Sequence, residues 1–341
     1  MTIDNGNKLA MSRNIAITAI DGHTGFSIAE LLLTHKSFSG KVDSVTGLSL
    51  HPKSHKAKEA EKLGVKIVTH KHGREREVVK LLQQAGVDTL CLIPPAHHDK
   101  YNLTVELVNA ARKANIPNVL FLSSAGADLA ERNRQPHLRE FVDLETLVLA
   151  SKGDQNTSTG HSPCVIRAGF YAENLLLYAP QIKEEGLLPI PIGKDHKFAP
   201  VALGDVAQVA AHVLTGRGEQ GFDDKHRGQL MVVTGPMLAT GDELATAASS
   251  ALGKELQFED ISEGEAKKVL KHQSDGDASE LQYLLEYYSL VREGKTNYIS
   301  TTAFVNVTGN HPTELTDFFK LYVGDPLPEP KPKKRKMENG H

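Results

Sequence analysis

The chain has 341 residues, of which 40% are hydrophobic and 24% charged, with a formal net charge of −3. This composition excludes collagen-like, coiled-coil and wholly disordered proteins. The near balance of charge gives no general attraction to nucleic acid or to an anionic membrane. No apolar run approaches the roughly 18 residues that span a bilayer. We therefore expect a globular protein of one large or two ordinary domains, with no sequence-specific nucleic-acid binding and no membrane contact.

From residue 14, short β-type runs alternate with amphipathic segments of helical period, which is typical of a parallel sheet covered by helices. The predicted strands are 14–20, 44–50, 65–70, 89–95, 118–126, 163–170 and 228–235. The predicted helices are 26–35, 55–63, 74–85, 103–114, 138–150 and 201–214. The fold class is therefore α/β with a doubly wound parallel sheet, followed after residue 172 by a less regular region.

The two cysteines and the histidine clusters give no metal-binding pattern. Cys91 and Cys164 both lie in apolar runs, which predicts buried thiols rather than a disulfide. The spacings of the histidines match no zinc motif, so we expect no metal site.

The first predicted strand runs into a turn that contains Gly22, His23, Thr24 and Gly25, and a helix follows. Amide groups and the dipole at a helix N-terminus bind phosphate, so this turn is a candidate site for the diphosphate of a dinucleotide. On this assignment the third glycine of the usual pattern falls at Ile28, where glycine would allow the helix to approach the strand. The alternative is a strand-to-helix turn with only a structural role.

The end of the second predicted strand bears on the choice of dinucleotide. An acidic residue there would bind the ribose 2′-hydroxyl of NAD, whereas basic residues would bind the 2′-phosphate of NADP. The sequence has His51, Lys53 and Lys56 and no acidic residue at this place. NADP or NADPH is therefore preferred over NAD, the alternative being that the lysines are solvated residues at the start of a charged helix.

Catalytic residues are harder to identify. A reductase proton donor is often a Tyr whose phenol is activated by a Lys four residues later, and no Tyr of this chain has a Lys at that offset. Ser123 and Ser124 end the fifth predicted strand, where ligands bind in open parallel sheets. They could contact a nicotinamide or a substrate, or cap the following turn.

Several blocks taken together resemble the NmrA-like family, atypical members of the short-chain dehydrogenase superfamily. The resemblance is carried by the GHTG turn at 22–25, VLFLSSAGAD at 119–128, VIRAGFYAENLL at 165–176 and FAPVALGDVAQVAAHVL at 198–214. It implies an NAD(P)-binding Rossmann-type sheet and a smaller, discontinuous C-terminal α/β domain, with a cleft between them. Family members are reductases of quinones or phenylpropanoids, or non-catalytic regulators that sense the dinucleotide.

The resemblance also implies roles for single residues. Pro94 and Pro95 would lie beside adenosine, and Gly169 and Phe170 beside the nicotinamide, with ordinary interdomain core as the alternative for Phe170. The remaining cleft residues are Tyr171 and Asn174.

The family pattern includes a His followed four residues later by a Lys, and an Arg after the second strand. This sequence departs from the pattern at two positions. His137 is present, but Phe141 stands at the lysine position, and Leu50 stands where related proteins often have Arg. The candidate catalytic residues that remain are His137 and Ser124.

The predicted domain organisation follows from these patterns. Residues 1–13 are predicted to be a flexible leader and 14–172 the NAD(P)-binding domain, to which 199–217 and 228–235 return. Residues 173–198 and 236–324 form the smaller substrate or partner domain, and 325–341 a disordered basic tail.

The tail contains a compact cationic run that resembles a nuclear import signal, with a merely solubilising tail as the alternative. Its cations are Lys331, Lys333, Lys334, Arg335 and Lys336. The expected localisation is therefore cytoplasmic, nuclear or both.

Two functions compete at this point. The absent Tyr and Lys pair, Phe141 and the tail favour a redox-sensing regulator that binds NAD(P) and a protein partner such as a transcription factor. The alternative is an NAD(P)H-dependent reductase of quinones or related carbonyl compounds, since quinones accept hydride readily. A scaffold that binds no cofactor is the third possibility.

Overall fold

The computed structural model describes residues 13–150, 163–218, 221–274 and 277–321. The strands in these ranges are β1 (Arg13–Thr18), β2 (Val42–Ser49), β3 (Lys66–Thr69), β4 (Thr89–Leu92), β5 (Asn118–Ser124), β6 (Cys164–Ala168), β7 (Leu187–Ile190), β8 (Leu230–Val233) and β9 (Gln257–Asp260). The predicted nuclear import run and nearly all of the predicted leader lie outside the described residues.

The α-helices in the same ranges are α1 (His23–Thr34), α2 (Lys36–Ser39), α3 (His55–Lys62), α4 (Glu75–Gln84), α5 (Lys100–Lys113), α6 (Pro136–Leu149), α7 (Ala179–Glu184), α8 (Leu203–Leu214), α9 (Gly241–Leu252), α10 (Glu263–Gln273), α11 (Ala278–Arg292), α12 (Ala303–Thr308) and α13 (Leu315–Leu321). Short 3-10 helices are present at Ala127–Leu129 and Ala172–Tyr178.

The large sheet has seven parallel strands in the order β3-β2-β1-β4-β5-β6-β8. This confirms the predicted doubly wound α/β fold. The strand order reverses between β1 and β4, and ligands of such sheets bind at that place, outside the carboxyl ends of the strands. Thr18 fixes the two strands there, because its hydroxyl donates to the carbonyl of Ile93 at 2.8 Å and accepts from the Ile93 amide at 2.7 Å.

Alternation along β1 assigns side chains to the two faces of the sheet. Ile15 and Ile17 belong to a buried cluster that includes residues of α1 and α8, whereas Ala16 belongs to a cluster that includes residues of α4, α5 and α6. The sheet is therefore covered on both faces, which explains why its strands are apolar without strict alternation. Cys91 and Cys164 are buried and unpaired, as predicted.

The C-terminal region packs around a small parallel pair, β7 with β9. Its core is an aromatic and aliphatic cluster that includes Tyr178, Phe198, Leu244 and Tyr288. Helices α9 and α10 begin with the capping boxes that Thr240 and Ser262 form with a Glu three residues later.

Helix α11 of this region packs against α6 of the large sheet. Glu286 Oε2 accepts a hydrogen bond of 2.9 Å from the backbone amide of Leu138, and Gln135 Nε2 donates to Ser289 Oγ at 2.9 Å. These contacts bring α11 over the carboxyl end of β5.

Candidate functional site

The turn between β1 and α1 is built for close approach of the backbone. Gly22 is the residue that precedes α1, in an extended conformation, and no side chain caps the helix. The Gly22 amide donates to the carbonyl of Ala19 at 2.9 Å, and Ala19 itself has a φ of 48°. The amides of the first turn of α1 therefore have no side-chain competitor for an anionic ligand.

The structure corrects the assignment of the third glycine position to Ile28. A Cβ atom on Gly25 would lie 2.6 Å from the carbonyl oxygen of Ala19, so Gly25 is the residue that permits close packing of helix on strand. The tight turn falls at Ala19, whose left-handed conformation favours glycine. Ile28 is fully buried, and its side chain belongs to the core cluster of the large sheet.

Basic side chains lie beside this turn. Lys56 Nζ is 5.0 Å from the ring centre of Phe26 in α1, and burial together with the Lys56 charge lowers the pKa of His23. Lys53 is exposed, as is His51, whose backbone amide donates to Asp21 Oδ2 at 3.1 Å. The Asp21 carboxylate therefore lies beside the backbone of His51 at the end of β2, which sequence order alone had not indicated.

The residues after β4 lie at the same edge of the sheet. Pro95 is buried and Pro94 partly exposed, and they are followed by α5, which begins at Lys100. The side chain of Lys100 is only 13% exposed. Its Nζ donates to the carbonyl of His137 at 2.9 Å and lies 3.3 Å from Glu140 Oε2.

The two serines at the end of β5 have different surroundings because neighbouring residues of a strand point to opposite faces. Ser123 donates to Glu145, a buried carboxylate that also accepts two hydrogen bonds from Arg167. Ser123 is thus part of a buried ion-pair network, and these contacts do not support its predicted role at the nicotinamide. Ser124 Oγ lies 2.7 Å from the hydroxyl of Tyr283 in α11.

Phe141, at the family's lysine position, packs against Tyr283 with 5.8 Å between ring centres. Lys100 Nζ lies 4.4 Å from the centre of the Phe141 ring and 5.9 Å from that of Tyr283. A lysine from α5 therefore places its charge beside the position where the family carries one on α6. His137 is half-buried in the first turn of α6, and burial and the Lys100 charge lower its pKa.

The residues that follow β6 divide between core and cleft. Gly169 is buried, and its amide donates to the carbonyl of Val233 at 2.8 Å. Phe170 is 2% exposed, with its ring against Phe198, Tyr287 and Tyr288. The structure therefore corrects the prediction for Phe170: its ring belongs to the C-terminal core, because three aromatic rings surround it.

Tyr171 points in the other direction, towards the glycine turn. Its hydroxyl lies 3.5 Å from Thr24 Oγ1, and burial raises the pKa of this phenol well above its usual value. Asn174 is half-buried in the 3-10 helix that follows, where its amide donates to the Tyr171 carbonyl at 3.0 Å. The carboxyl edges of β1, β5 and β6 thus carry Thr24, Ser124 and Tyr171, and Tyr283 of α11 lies against Ser124 at the same edge of the sheet.

Metal-binding clusters and membrane-spanning helices are both absent from the part of the chain that the structure describes. No group of three or more His, Cys, Asp or Glu side chains there could hold a metal ion. No helix in the same ranges is both long and apolar enough to cross a membrane.

The sheet and its uncapped glycine turn define a Rossmann-type α/β protein. The chain belongs to the NmrA-like family, which it matches over residues 11–319. This confirms the resemblance inferred from the sequence blocks.

Two relatives have names that describe reductases. The chain is 29% identical over 185 residues to the NAD(P)H azoreductase of Xenophilus azovorans, which is 54% of this chain and 58% of that protein. It is 26% identical over 265 residues to quinone oxidoreductase 2 of Escherichia coli K12, which is 75% of this chain and 81% of that protein. The chain thus spans little more than half the length of the azoreductase.

Solved structures share the fold over nearly the whole chain. The E. coli NADPH-dependent quinone oxidoreductase QOR2 is 24% identical with a TM-score of 0.69, covering 90% of this chain and 98% of that one. NmrA, a negative transcriptional regulator crystallised with NADP, is 14% identical with a TM-score of 0.67, covering 91% and 95%. At these identities the likeness shows the fold alone.

Proposed function

We propose that this protein binds a nicotinamide dinucleotide in the cleft and uses its reduced form to reduce a quinone or a related conjugated carbonyl compound. The observation that carries the proposal is the uncapped turn at 22–25, whose Thr24 Oγ1 lies 3.5 Å from the hydroxyl of Tyr171 at the same edge of the sheet as Ser124 and Tyr283. A site for the diphosphate and a polar site for the reacting group therefore lie at one edge of one sheet. The names of the azoreductase and quinone reductase relatives support this assignment.

Different residues of the chain would bind different parts of the dinucleotide. The amides of His23, Thr24 and Gly25 would hold the diphosphate, with the dipole of α1 behind them. Pro94 and Pro95 would pack beside the adenosine. When bound, the reduced nicotinamide supplies the hydride, and the hydroxyl groups of the cleft orient the acceptor.

The preference for NADPH over NADH rests on the cations beside the turn. Lys56, in the first turn of α3, is held over Phe26, and the exposed Lys53 lies in the turn that precedes this helix. Both are suited to a 2′-phosphate. Asp21 is the opposing influence, but its carboxylate already accepts from the amide of His51.

A regulator that binds the dinucleotide and a protein partner, such as a transcription factor, is the second candidate function. Phe141 favours it, because α6 does not carry the lysine of the family pattern at this position. Regulation would require the partner to have different affinities for the bound and free forms. Import into the nucleus by the basic run at 331–336 belongs to this candidate.

Turnover separates the two candidates. The purified chain is mixed with NADPH or NADH and a panel of benzoquinones, naphthoquinones and azo dyes, and the absorbance of the reduced nicotinamide is followed. The proposal predicts acceptor-dependent consumption, faster with NADPH than with NADH. Dinucleotide binding without consumption by any acceptor would contradict the reductase and favour the regulator.

A further inference from the structure

A pair of hydroxyl groups joins the two parts of the molecule at the carboxyl end of β5. Tyr283 comes from α11 and Ser124 ends β5, and their oxygens are 2.7 Å apart. Ser124 is buried and Tyr283 is partly exposed, so the phenol is the member of the pair that a ligand in the cleft can reach. A hydrogen bond between two hydroxyls leaves each oxygen a further lone pair or proton for a third partner.

A cation lies against the same tyrosine. Lys100 is held by the His137 carbonyl and Glu140, with its Nζ 5.9 Å from the ring centre of Tyr283 and 4.4 Å from that of Phe141. A buried ammonium over aromatic faces is attracted by their negative quadrupole. It also favours negative charge on the neighbouring phenol oxygen over its neutral form.

The position of the pair relative to the glycine turn matters as much as its chemistry. Tyr171 bridges the two, since its hydroxyl is 3.5 Å from Thr24 Oγ1 and it lies close enough to Tyr283 for each charge to affect the other. A dinucleotide whose diphosphate lies on the turn would therefore extend its nicotinamide towards Ser124 and Tyr283.

We propose that Tyr283 is the catalytic proton donor of this protein, with Ser124 and Lys100 as its positioning residues. The proposal rests on the proposed reductase function and adds a residue to it. Ser124, Tyr283 and Lys100 come from three different elements and provide a hydroxyl, a phenol and an ammonium. The sequence has no Tyr followed four residues later by a Lys, which would provide the phenol and the ammonium together.

The proposed step balances as follows. A hydride from the bound dinucleotide would bring two electrons and one hydrogen to one oxygen of a quinone, where an O–H bond forms as the ring becomes aromatic, so that negative charge develops on the other oxygen. The O–H bond of Tyr283 breaks as a new O–H bond forms at that oxygen, and the tyrosinate then takes a proton from water. A quinone leaves as hydroquinone, and the dinucleotide leaves oxidised.

The charged and titratable groups that face Tyr283 are Glu280 and Glu286 of its own helix, Lys100 of α5 and Tyr171 beyond β6. Burial raises the pKa of Tyr283 to about 12. The phenol is therefore protonated at neutral pH, which is the state that a proton donor requires, and the hydrogen bond with Ser124 acts against this rise in the pKa.

Replacement of Tyr283 by Phe removes one oxygen and keeps the ring that packs on Phe141. General acid catalysis contributes about 100-fold or more, so kcat with the best quinone of the panel should fall by at least about 100-fold in Tyr283→Phe. The dissociation constant for NADPH should not change, because the ring is retained. Tyr298→Phe is the matched control: it removes the phenol oxygen of a residue that is 91% exposed, and its kcat should equal that of the wild type.

A second measurement needs no turnover. The chain has eight Tyr and no Trp, so spectra of isotope-labelled tyrosine are simple, and the Tyr283→Phe variant identifies the Tyr283 resonance. Addition of NADP⁺ should shift that resonance. Lys100→Met should move its titration to higher pH, and Lys100→Arg should restore it, which loss of packing alone would not produce.

The outcomes distinguish this proposal from the function on which it rests. Wild-type turnover together with unchanged kcat in Tyr283→Phe would overturn the role of Tyr283 and leave the reductase standing. Binding of NADP⁺ with no shift of the Tyr283 resonance would overturn it too. If the wild-type chain consumed NADPH with none of the acceptors in the panel, both proposals would be overturned.

Discussion

Ala19 is the residue whose backbone the glycine turn strains most. It has a φ of 48°, where an L-residue costs roughly 1–2 kcal/mol. Ala19→Gly relieves that strain at an entropic cost of about 0.5–1 kcal/mol. The free energy of unfolding should therefore rise by about 0.5–1 kcal/mol, as measured by urea denaturation. A fall in stability would show that the turn does not strain this residue.

Single residues of the site could be predicted from the sequence only where the local order of strand, turn and helix determines their position. The glycines of the turn follow a strand and precede a helix, so Gly22 and Gly25 were predictable. Their positions in the glycine pattern were not predictable, and the third position falls at Gly25 rather than at Ile28. The first position is Ala19, and an alanine in left-handed conformation cannot be recognised from the sequence. The pair formed by Tyr283 and Ser124 depends on contact between α11 and β5, which are far apart in the chain. It therefore cannot be predicted from residue spacing.

At the scale of elements, the contact between α6 and α11 buries a carboxylate. Glu286 is 2% exposed, and burial raises its pKa to about 7. Since the folded pKa exceeds the unfolded one, the folded state binds more protons between about pH 4.3 and pH 7, so Glu286 lowers stability as pH rises through that window.

Glu286→Gln keeps the acceptor for the Leu138 amide and removes the charge. Relative to the wild type, this variant should gain up to about 3 kcal/mol of unfolding free energy between pH 4 and pH 8, with most of the gain below pH 7. Urea denaturation at a series of pH values measures it. The control is Glu61→Gln, which makes the same change of side chain at an exposed position of α3. A Glu286→Gln curve parallel to that of the wild type would contradict the burial argument.

The elements themselves were predictable to within a few residues. The strands of the large sheet follow from their apolar runs, since a strand buried on both faces needs little else. Helices α1 and α5 each begin three residues before the predicted start, at His23 and Lys100. Their first turns are polar, so hydrophobic periodicity gives no evidence of them. Those first turns are the parts that face the cleft.

At the scale of the whole molecule, alternation of strands and helices predicted the parallel sheet, and its order places a crevice between β1 and β4. The sequence did not indicate which part of the C-terminal region would lie over this edge of the sheet. Helix α11 lies at the end of β5 because its buried face packs on α6, which is a matter of tertiary packing rather than local propensity. Both parts of the chain therefore meet at the carboxyl edge of the sheet.

The central claim is that the turn between β1 and α1 holds the diphosphate of a nicotinamide dinucleotide. Calorimetric titration with NADPH tests it on the wild type, on Gly25→Ala, whose new Cβ would lie 2.6 Å from the Ala19 carbonyl, and on Gly40→Ala, which has open space around it. The prediction is saturable, stoichiometric heat for the wild type and Gly40→Ala, and none for Gly25→Ala. Absence of heat from the wild type, or equal heat from all three proteins, would contradict it.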